Sequence, residues 1–303
     1  MRTFYSKILL FGEYSVLQGS SALTIPFLKY SGHLKLSPGK QLSSKYKESN
    51  EDLKSLLAYI RNEINTGELE LDLEKFESDM NNNLYFDSDI PVNYGLGSSG
   101  AIVAAVFDAY GSKQSNNLSE QLLADQKRQM ALIESFYHSE SSGIDPITIY
   151  YEKPLLFKEK KITIIPQRIL HFIKNRIYLY DTNIQSATWD HVQRFKSMTE
   201  DEDFFNKFRN ILFPAQRNAI AALLELDKEK LKQSFKLISQ YQRDYFKEMI
   251  PAEIQGIWER GISSDDYYMK LCGSGGGGFN LVYSKLPKVD LEDLLQAQIL
   301  NIF

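Results

Sequence analysis

The segment Pro91-Val-Asn-Tyr-Gly-Leu-Gly-Ser-Ser-Gly-Ala101 is the most informative in the chain. Gly95, Gly97 and Gly100 carry no Cβ, so the backbone there can adopt φ > 0 and close on a bound anion. The apolar, small-residue run 98–110 that follows reads as a buried helix. Free N–H groups in the first turn of that helix, together with its dipole, suit a phosphate. Ser98 and Ser99 add hydroxyls; Ser98 can cap the helix or meet a nucleotide-borne Mg²⁺, and the two roles are compatible.

A second cluster, Gly273 with Gly275, Gly276, Gly277 and Gly278, brings the total in these two windows to eight of the chain's 17 glycines. Both windows satisfy G-x-G-x-x-G, but a dinucleotide site needs a buried strand just ahead of the motif. The approach to the first window, 87–94, is polar and contains Pro91, so that context is missing. No G-x-x-x-x-G-K-[ST] loop and no H-R-D or D-F-G tripeptide occurs.

Two further constellations carry chemistry. Glu134 and His138 are four apart on a predicted helix and share a face, and Ser142-Gly-Ile-Asp145 places a carboxylate after a turn. Zinc would need a third protein ligand that no nearby Cys or His supplies, whereas Mg²⁺ needs only one carboxylate plus substrate phosphates. Lys7 begins a predicted strand, 7–11; meeting Asp145, it would form a proton-transfer or charge-stabilising pair.

The chain has 303 residues, twice a typical domain, with 43% hydrophobic and 24% charged residues, which excludes a disordered or fibrous protein. A net charge of −4 without a basic tail argues against a nucleic-acid partner. The single cysteine, Cys272, excludes a disulfide framework. No apolar run approaches the roughly 20 residues of a membrane span, and 8–11 is too short for a signal core. The expectation is a cytoplasmic protein with no membrane partner.

Strands are expected at 7–11, 14–17, 22–26, 32–36, 147–151, 155–157, 162–165, 176–180 and 279–283, with 266–271 leading into the second glycine cluster. Helices are expected at 51–64, 98–110, from Asn117 and Glu120 (a capping-box pair) to about 137, 188–209, 215–226, 228–247 and 291–300. Without steady βα alternation, the class is α+β, with a domain boundary near 160–175.

Taken in order, three segments resemble the GHMP kinase superfamily. They are Lys7-Ile-Leu-Leu-Phe-Gly-Glu-Tyr-Ser-Val-Leu-Gln-Gly19, the segment 91–101 and Lys270-Leu-Cys-Gly-Ser-Gly-Gly-Gly-Gly278. The spacing from Glu134 through His138 to Asp145 is most similar to the mevalonate kinase branch. The resemblance implies a two-domain fold, 1–168 like ribosomal protein S5 domain 2 and 169–303 ferredoxin-like. It implies ATP and Mg²⁺, with Pro91, Gly95, Leu96, Gly97, Ser98, Ser99 and Gly100 around the phosphates and Gly273, Gly275 and Gly276 completing the cleft. Asp145 and Lys7 would be catalytic, and Ser98 and Glu134 would hold Mg²⁺. Glu13, Tyr14, His138, Ser142, Gly143, Thr182 and Asn183, with Thr188, would lie toward a small-molecule alcohol. Cys272 would edge the cleft and be open to modification. A homodimer is allowed.

This sequence departs from the family's pattern at Ser6, Tyr14, Gly100, Ser139, Ser141 and 272–274. Those at 14, 139 and 141 lie on the acceptor side, so they bear on which alcohol is used rather than on the kinase class.

Overall fold

A computed structural model describes residues 1–37, 43–64, 69–112, 119–138, 140–185 and 188–303. In chain order the elements are β1 (Phe4–Phe11), a 3₁₀ turn (Ser15–Gln18), β2 (Ala22–Leu36), α1 (Ser44–Ile64), α2 (Leu73–Asn81), β3 (Leu84–Ser88), α3 (Ser98–Tyr110), α4 (Glu120–His138) and α5 (Ile144–Tyr151). There follow β4 (Leu155–Lys158), β5 (Lys161–Ile164), α6 (Arg168–Ile173), β6 (Ile177–Asp181), α7 (Thr188–Met198) and α8 (Glu202–Lys207). A π-turn (Phe208–Leu212) leads into α9 (Phe213–Glu225), α10 (Lys228–Tyr245), α11 (Ala252–Ser264), β7 (Tyr267–Leu271), β8 (Phe279–Ser284), α12 (Lys288–Leu295) and β9 (Ile299–Asn301).

Two sheets result. The first runs β1-β2-β4-β5 with β3 also on β2, all antiparallel. The expected strands 22–26 and 32–36 are one strand, β2, whose far half pairs with β3. Gly32 makes that pairing fit, because a Cβ there would lie 2.3 Å from the Phe86 ring. The second sheet has the order β7-β8-β6-β9, again antiparallel. Helices follow its first and third strands in chain order, giving the ferredoxin-like β-α-β-β-α-β arrangement expected of the C-terminal half.

Helix α3 is buried along most of its length, and its alanines 101, 104 and 105 let it pack closely against β1, β2 and α5. Helix α10 buries Leu231, Phe235 and Ile238 at helical spacing and packs on α9 and β7.

The structure corrects several local expectations. Residues 147–151 are not a strand but the body of α5. Gly143 at φ 69 starts that helix, Pro146 is tolerated in its first turn, and Ile144, Ile147 and Thr148 form its buried stripe. Burial at helical spacing overrides the β-branched composition. The expected strand 14–17 is instead taken up by the 3₁₀ turn Ser15–Gln18, preceded by Tyr14 and closed by Gly19 at φ 80. The last helix stops at Leu295, where Gln296 turns left-handed, and 299–301 form the edge strand β9. Asn117 lies outside the described residues; at the start of α4 the Ser119 hydroxyl accepts the Leu122 N–H at 3.1 Å.

Candidate active site

Strand β1 delivers Lys7 beneath the glycine segment, and its N–H donates to the Leu96 carbonyl at 3.1 Å. Gly97, at φ 78, is the N-cap of α3, and no side chain caps the helix. A Cβ at Gly97 would lie 3.1 Å from Lys7 Cε and 3.0 Å from Ile149 Cδ1; at Gly100 it would lie 3.2 Å from Asp145 Cβ. These two glycines therefore let α3 settle onto Lys7 and onto the first turn of α5. The N–H groups of the first turn of α3 stay uncapped and suit an anion.

Lys7 Nζ is 2.8 Å from Asp145 Oδ2, with the lysine side chain 4% exposed and the aspartate 34% exposed. Burial alone would lower the Lys7 pKa, but the Asp145 charge and hydrogen bond outweigh it, so the ammonium is held above its ordinary value. Asp145 thus faces the cleft with a buried cation behind it. Being in the first turn of α5, it also meets the favourable end of that helix dipole.

Glu134 on α4 is buried beside them. The Ser141 hydroxyl donates to its Oε2, and the Ser99 hydroxyl, 3.3 Å from Oε1, also lies 3.0 Å from His138 Nε2. Burial first, then the Asp145 charge, pushes the Glu134 carboxyl up to about 7. His138 is held below the ordinary imidazole value by burial. Ser99 is the serine of the glycine segment that reaches Glu134; Ser98 makes no hydrogen bond to it. Among the described residues no group of three His, Cys, Asp or Glu forms a metal cage. A buried carboxylate with an adjacent hydroxyl is nevertheless a hard-oxygen donor set that fits Mg²⁺, which shares its sphere with water and substrate phosphates.

The two glycine clusters meet backbone to backbone. A Cβ at Gly95 would lie 2.7 Å from the Cys272 carbonyl oxygen and 3.9 Å from Gly273 Cα, and one at Gly278 would lie 2.9 Å from Tyr94 Cα. Gly275 packs on the Met249 carbonyl and Gly276 on the His191 ring. The Gly276 N–H donates to the Met249 carbonyl at 2.6 Å and the Gly278 N–H to the Ile184 carbonyl at 2.7 Å. Those two amides are therefore engaged within the protein. Pro91, just ahead of the first cluster, lies in the connection between β3 and α3.

Beside Asp145 opens a cavity of about 800 Å³, lined by Glu134, His138, Ser141, Ser142 and Asp145 on one side. Leu17, Gln18, Val192, Phe195 and Lys196 line the other. Gly143 starts α5 behind it, and the Ser142 hydroxyl accepts the Ile144 N–H at 3.4 Å.

Four residues expected toward the acceptor lie elsewhere. Glu13 is 1% exposed and forms a buried ion pair with Lys270, 2.5 Å from its Nζ, because the chain turns inward after β1. Tyr14 is 5% exposed, donates to the Ser274 carbonyl and packs on Phe195 at 4.6 Å, so it joins the two domains behind the cleft. Thr182 bonds the Gly278 carbonyl through its hydroxyl at 2.8 Å and through its N–H at 3.0 Å. Asn183 takes a left-handed turn at φ 54, its N–H on Asp181 Oδ1. These last two support the third loop, since β6 ends where β8 begins. Ser139 and the Thr188 side chain lie outside the described residues.

Residue-type reasoning missed Lys196, Phe195 and Val192, which approach the cleft only through the path of α7. Lys270 did carry a signal: a charge inside the wholly buried strand β7 requires a partner.

Two predictions arise here. Cys272 is 3% exposed and burial pushes its thiol up to about 11, contrary to the expected open cysteine. Burial both shields the sulfur and disfavours its thiolate, so iodoacetamide should label the folded chain far more slowly than the urea-unfolded chain. Equal rates in both states would contradict this burial. Gly97→Ala places a Cβ against Lys7 at a left-handed φ, so it should lower any turnover about tenfold or more by displacing the ammonium from Asp145. Steady-state kinetics at unchanged melting temperature provide the check.

Residues 54–153 match the family model described as the GHMP kinases N terminal domain. Mevalonate kinases of Pyrococcus horikoshii and Pyrococcus abyssi are each 28% identical over 181 residues, 53% of this chain and 52% of theirs. The chain thus spans about half the length of the curated relatives it matches. Methanococcus jannaschii mevalonate kinase superposes with a TM-score of 0.62 at 20% identity, over 98% of this chain and 95% of that one. Streptococcus pneumoniae phosphomevalonate kinase, solved with phosphomevalonate and AMPPNP, gives 0.63 at 15% identity, over 100% and 98%. With its motif order, its ferredoxin-like second sheet and these superpositions, the chain has the two-domain fold of the GHMP kinases, and residues 54–153 match the model of their N-terminal domain.

Proposed function

We propose that the chain, as domains 1–168 and 169–303, transfers the γ-phosphoryl group of ATP to the hydroxyl of a small carboxylate-bearing alcohol, with mevalonate the favoured acceptor. That would place it in isoprenoid precursor synthesis. The carrying observation is the 2.8 Å pair of Lys7 and Asp145 at the floor where the glycine segment and the acceptor cavity meet. Phosphoryl transfer depends mainly on positioning and charge stabilisation, which the uncapped amides of α3 and the Lys7 ammonium provide. Asp145 accepts or orients the hydroxyl proton, with the Lys7 ammonium 2.8 Å from its carboxylate oxygen. Glu134 and Ser99, with Ser98 beside them, would hold Mg²⁺, which neutralises phosphate charge when bound.

Cation placement favours a singly anionic acceptor. Beyond Lys7, Lys196 is the one Lys or Arg among the described residues lining the cavity. Arg194 pairs with Glu248, and Arg209 and Arg217 line a different cavity. An acceptor already bearing phosphate calls for more positive charge than this. The similarity to a phosphomevalonate kinase keeps that acceptor as the second reading.

An ADP-coupled assay with mevalonate, phosphomevalonate and homoserine tests the proposal. Mevalonate is expected to be turned over best, and Lys196→Gln to raise its KM about tenfold with kcat nearly unchanged. Phosphorylation of phosphomevalonate alone would replace the acceptor, and no turnover with any alcohol would overturn the kinase reading.

A further inference from the structure

A second cavity, of about 450 Å³, opens where the 18–21 turn, the tip of the β4–β5 hairpin and the helical stretch 206–217 meet. Asn206, Arg209, Asn210 and Arg217 come from that stretch at near-helical spacing, on one face, and Lys158 comes from the hairpin. Glu159 is the only acidic residue in this lining, and it is already within 3.8 Å of Lys158. Arg209 rests over the Phe205 ring at 5.7 Å, and neither it nor Arg217 has a carboxylate partner among the described residues. Two guanidinium groups without carboxylate partners thus line one hollow and give it a positive potential.

Local geometry supports a built site. The π-turn Phe208–Leu212 adds a residue to the helical turn that carries Arg209 and Asn210, and such insertions concentrate where function sets side-chain direction. At the hairpin tip Glu159 and Lys160 both take left-handed φ, 51 and 66, in positions that Asn-Gly fills more comfortably. Ser20, also in the lining, has a buried hydroxyl with no hydrogen-bond partner.

We propose that this cavity binds a small phosphate-bearing molecule, with Arg209 and Arg217 as its principal ligands and Lys158 closing over it from the other domain. Guanidinium groups match phosphate in bidentate geometry, while the amides of Gln18, Asn206 and Asn210 and the Ser20 hydroxyl supply neutral donors. The volume suits a metabolite. Gln18 lines this cavity and the 800 Å³ cleft alike, so occupation is felt at the cleft through the 15–18 turn. The site itself does not depend on the kinase reading.

Calorimetric titration of the full chain with inorganic pyrophosphate and with orthophosphate tests this, with the glycine segment first occupied by excess non-hydrolysable ATP analogue. One remaining anion site is expected per chain. Arg209→Gln/Arg217→Gln should weaken it about tenfold or more, and Lys158→Gln severalfold, at unchanged melting temperature. If the double variant folds poorly, the exposed single changes Arg217→Gln and Lys158→Gln carry the same test. Unaltered affinity in these variants, or no binding by the unmodified chain, overturns the proposal. If the ATP analogue does not bind, the kinase reading fails, and the arginine variants still report on this cavity.

Discussion

Asp145→Asn is expected to lower kcat by about two or more orders of magnitude, on the scale of a lost general base. The substitution keeps side-chain shape and one hydrogen-bonding oxygen toward Lys7, so the difference read is that of the negative charge. Asp145 is the carboxylate that both touches the buried ammonium and remains 34% exposed to the cleft; Glu134 beside it is 4% exposed and bound by two hydroxyls. Nucleotide affinity should change only severalfold, because the amides of α3 do not involve this carboxylate. A variant that loses nucleotide binding in proportion to turnover would recast Asp145 as a structural residue. One that keeps full turnover would remove it from the mechanism.

Lys270→Met should give the largest loss of stability. Lys270 and Glu13 have no exposed side-chain surface, and their pair joins β7 of the second sheet to the chain following β1. Removing one partner of a buried pair costs about 3–5 kcal/mol, because a charge is left without compensation. For a chain of this size that corresponds to a melting temperature lower by roughly 10 °C. Burial already raises the Glu13 carboxyl above its ordinary value, against the opposing pull of Lys270, and losing the lysine raises it further. A group with a raised folded-state pKa takes up its proton in the folded state first, so its destabilising effect grows as pH rises above the ordinary glutamate value. The deficit of Lys270→Met should therefore be smaller at pH 5 than at pH 8. Glu13→Gln/Lys270→Met should recover much of it, since neither charge then remains. Calorimetric melting at both pH values decides; an unchanged Lys270→Met melting temperature would show the pair to be dispensable.

How far the sequence disclosed this arrangement depends on the range of the interaction. The Lys7–Asp145 pairing and the shared cleft of the two glycine windows were expected only through the resemblance of the three segments to the GHMP kinases, because no local pattern links residues so far apart along the chain. Helix α5 was not foreseen. Its isoleucines and tyrosines satisfy strand propensity, and only the neighbours that bury every third or fourth position make it helical. Glu13 was misdirected for a related reason: its partner lies 257 residues away, beyond any local pattern. Lys196 was invisible for want of a motif, since a lysine on an amphipathic helix is ordinary until a cavity opens beside it.

The glycine seam has a mechanical consequence. Gly95 against the Cys272 carbonyl, and Gly278 against the Tyr94 backbone, bring main chain against main chain, with no glycine side chain to change rotamer and absorb a shift. This edge is therefore the stiff axis between the domains, reinforced close by by the Glu13–Lys270 pair. A relative rotation would leave the seam almost still and be greatest at the far rim, where Leu17 and Val192 border the acceptor cavity. On the proposed function, such a rotation would keep the phosphate end of the cleft at constant width and widen the end that admits the alcohol.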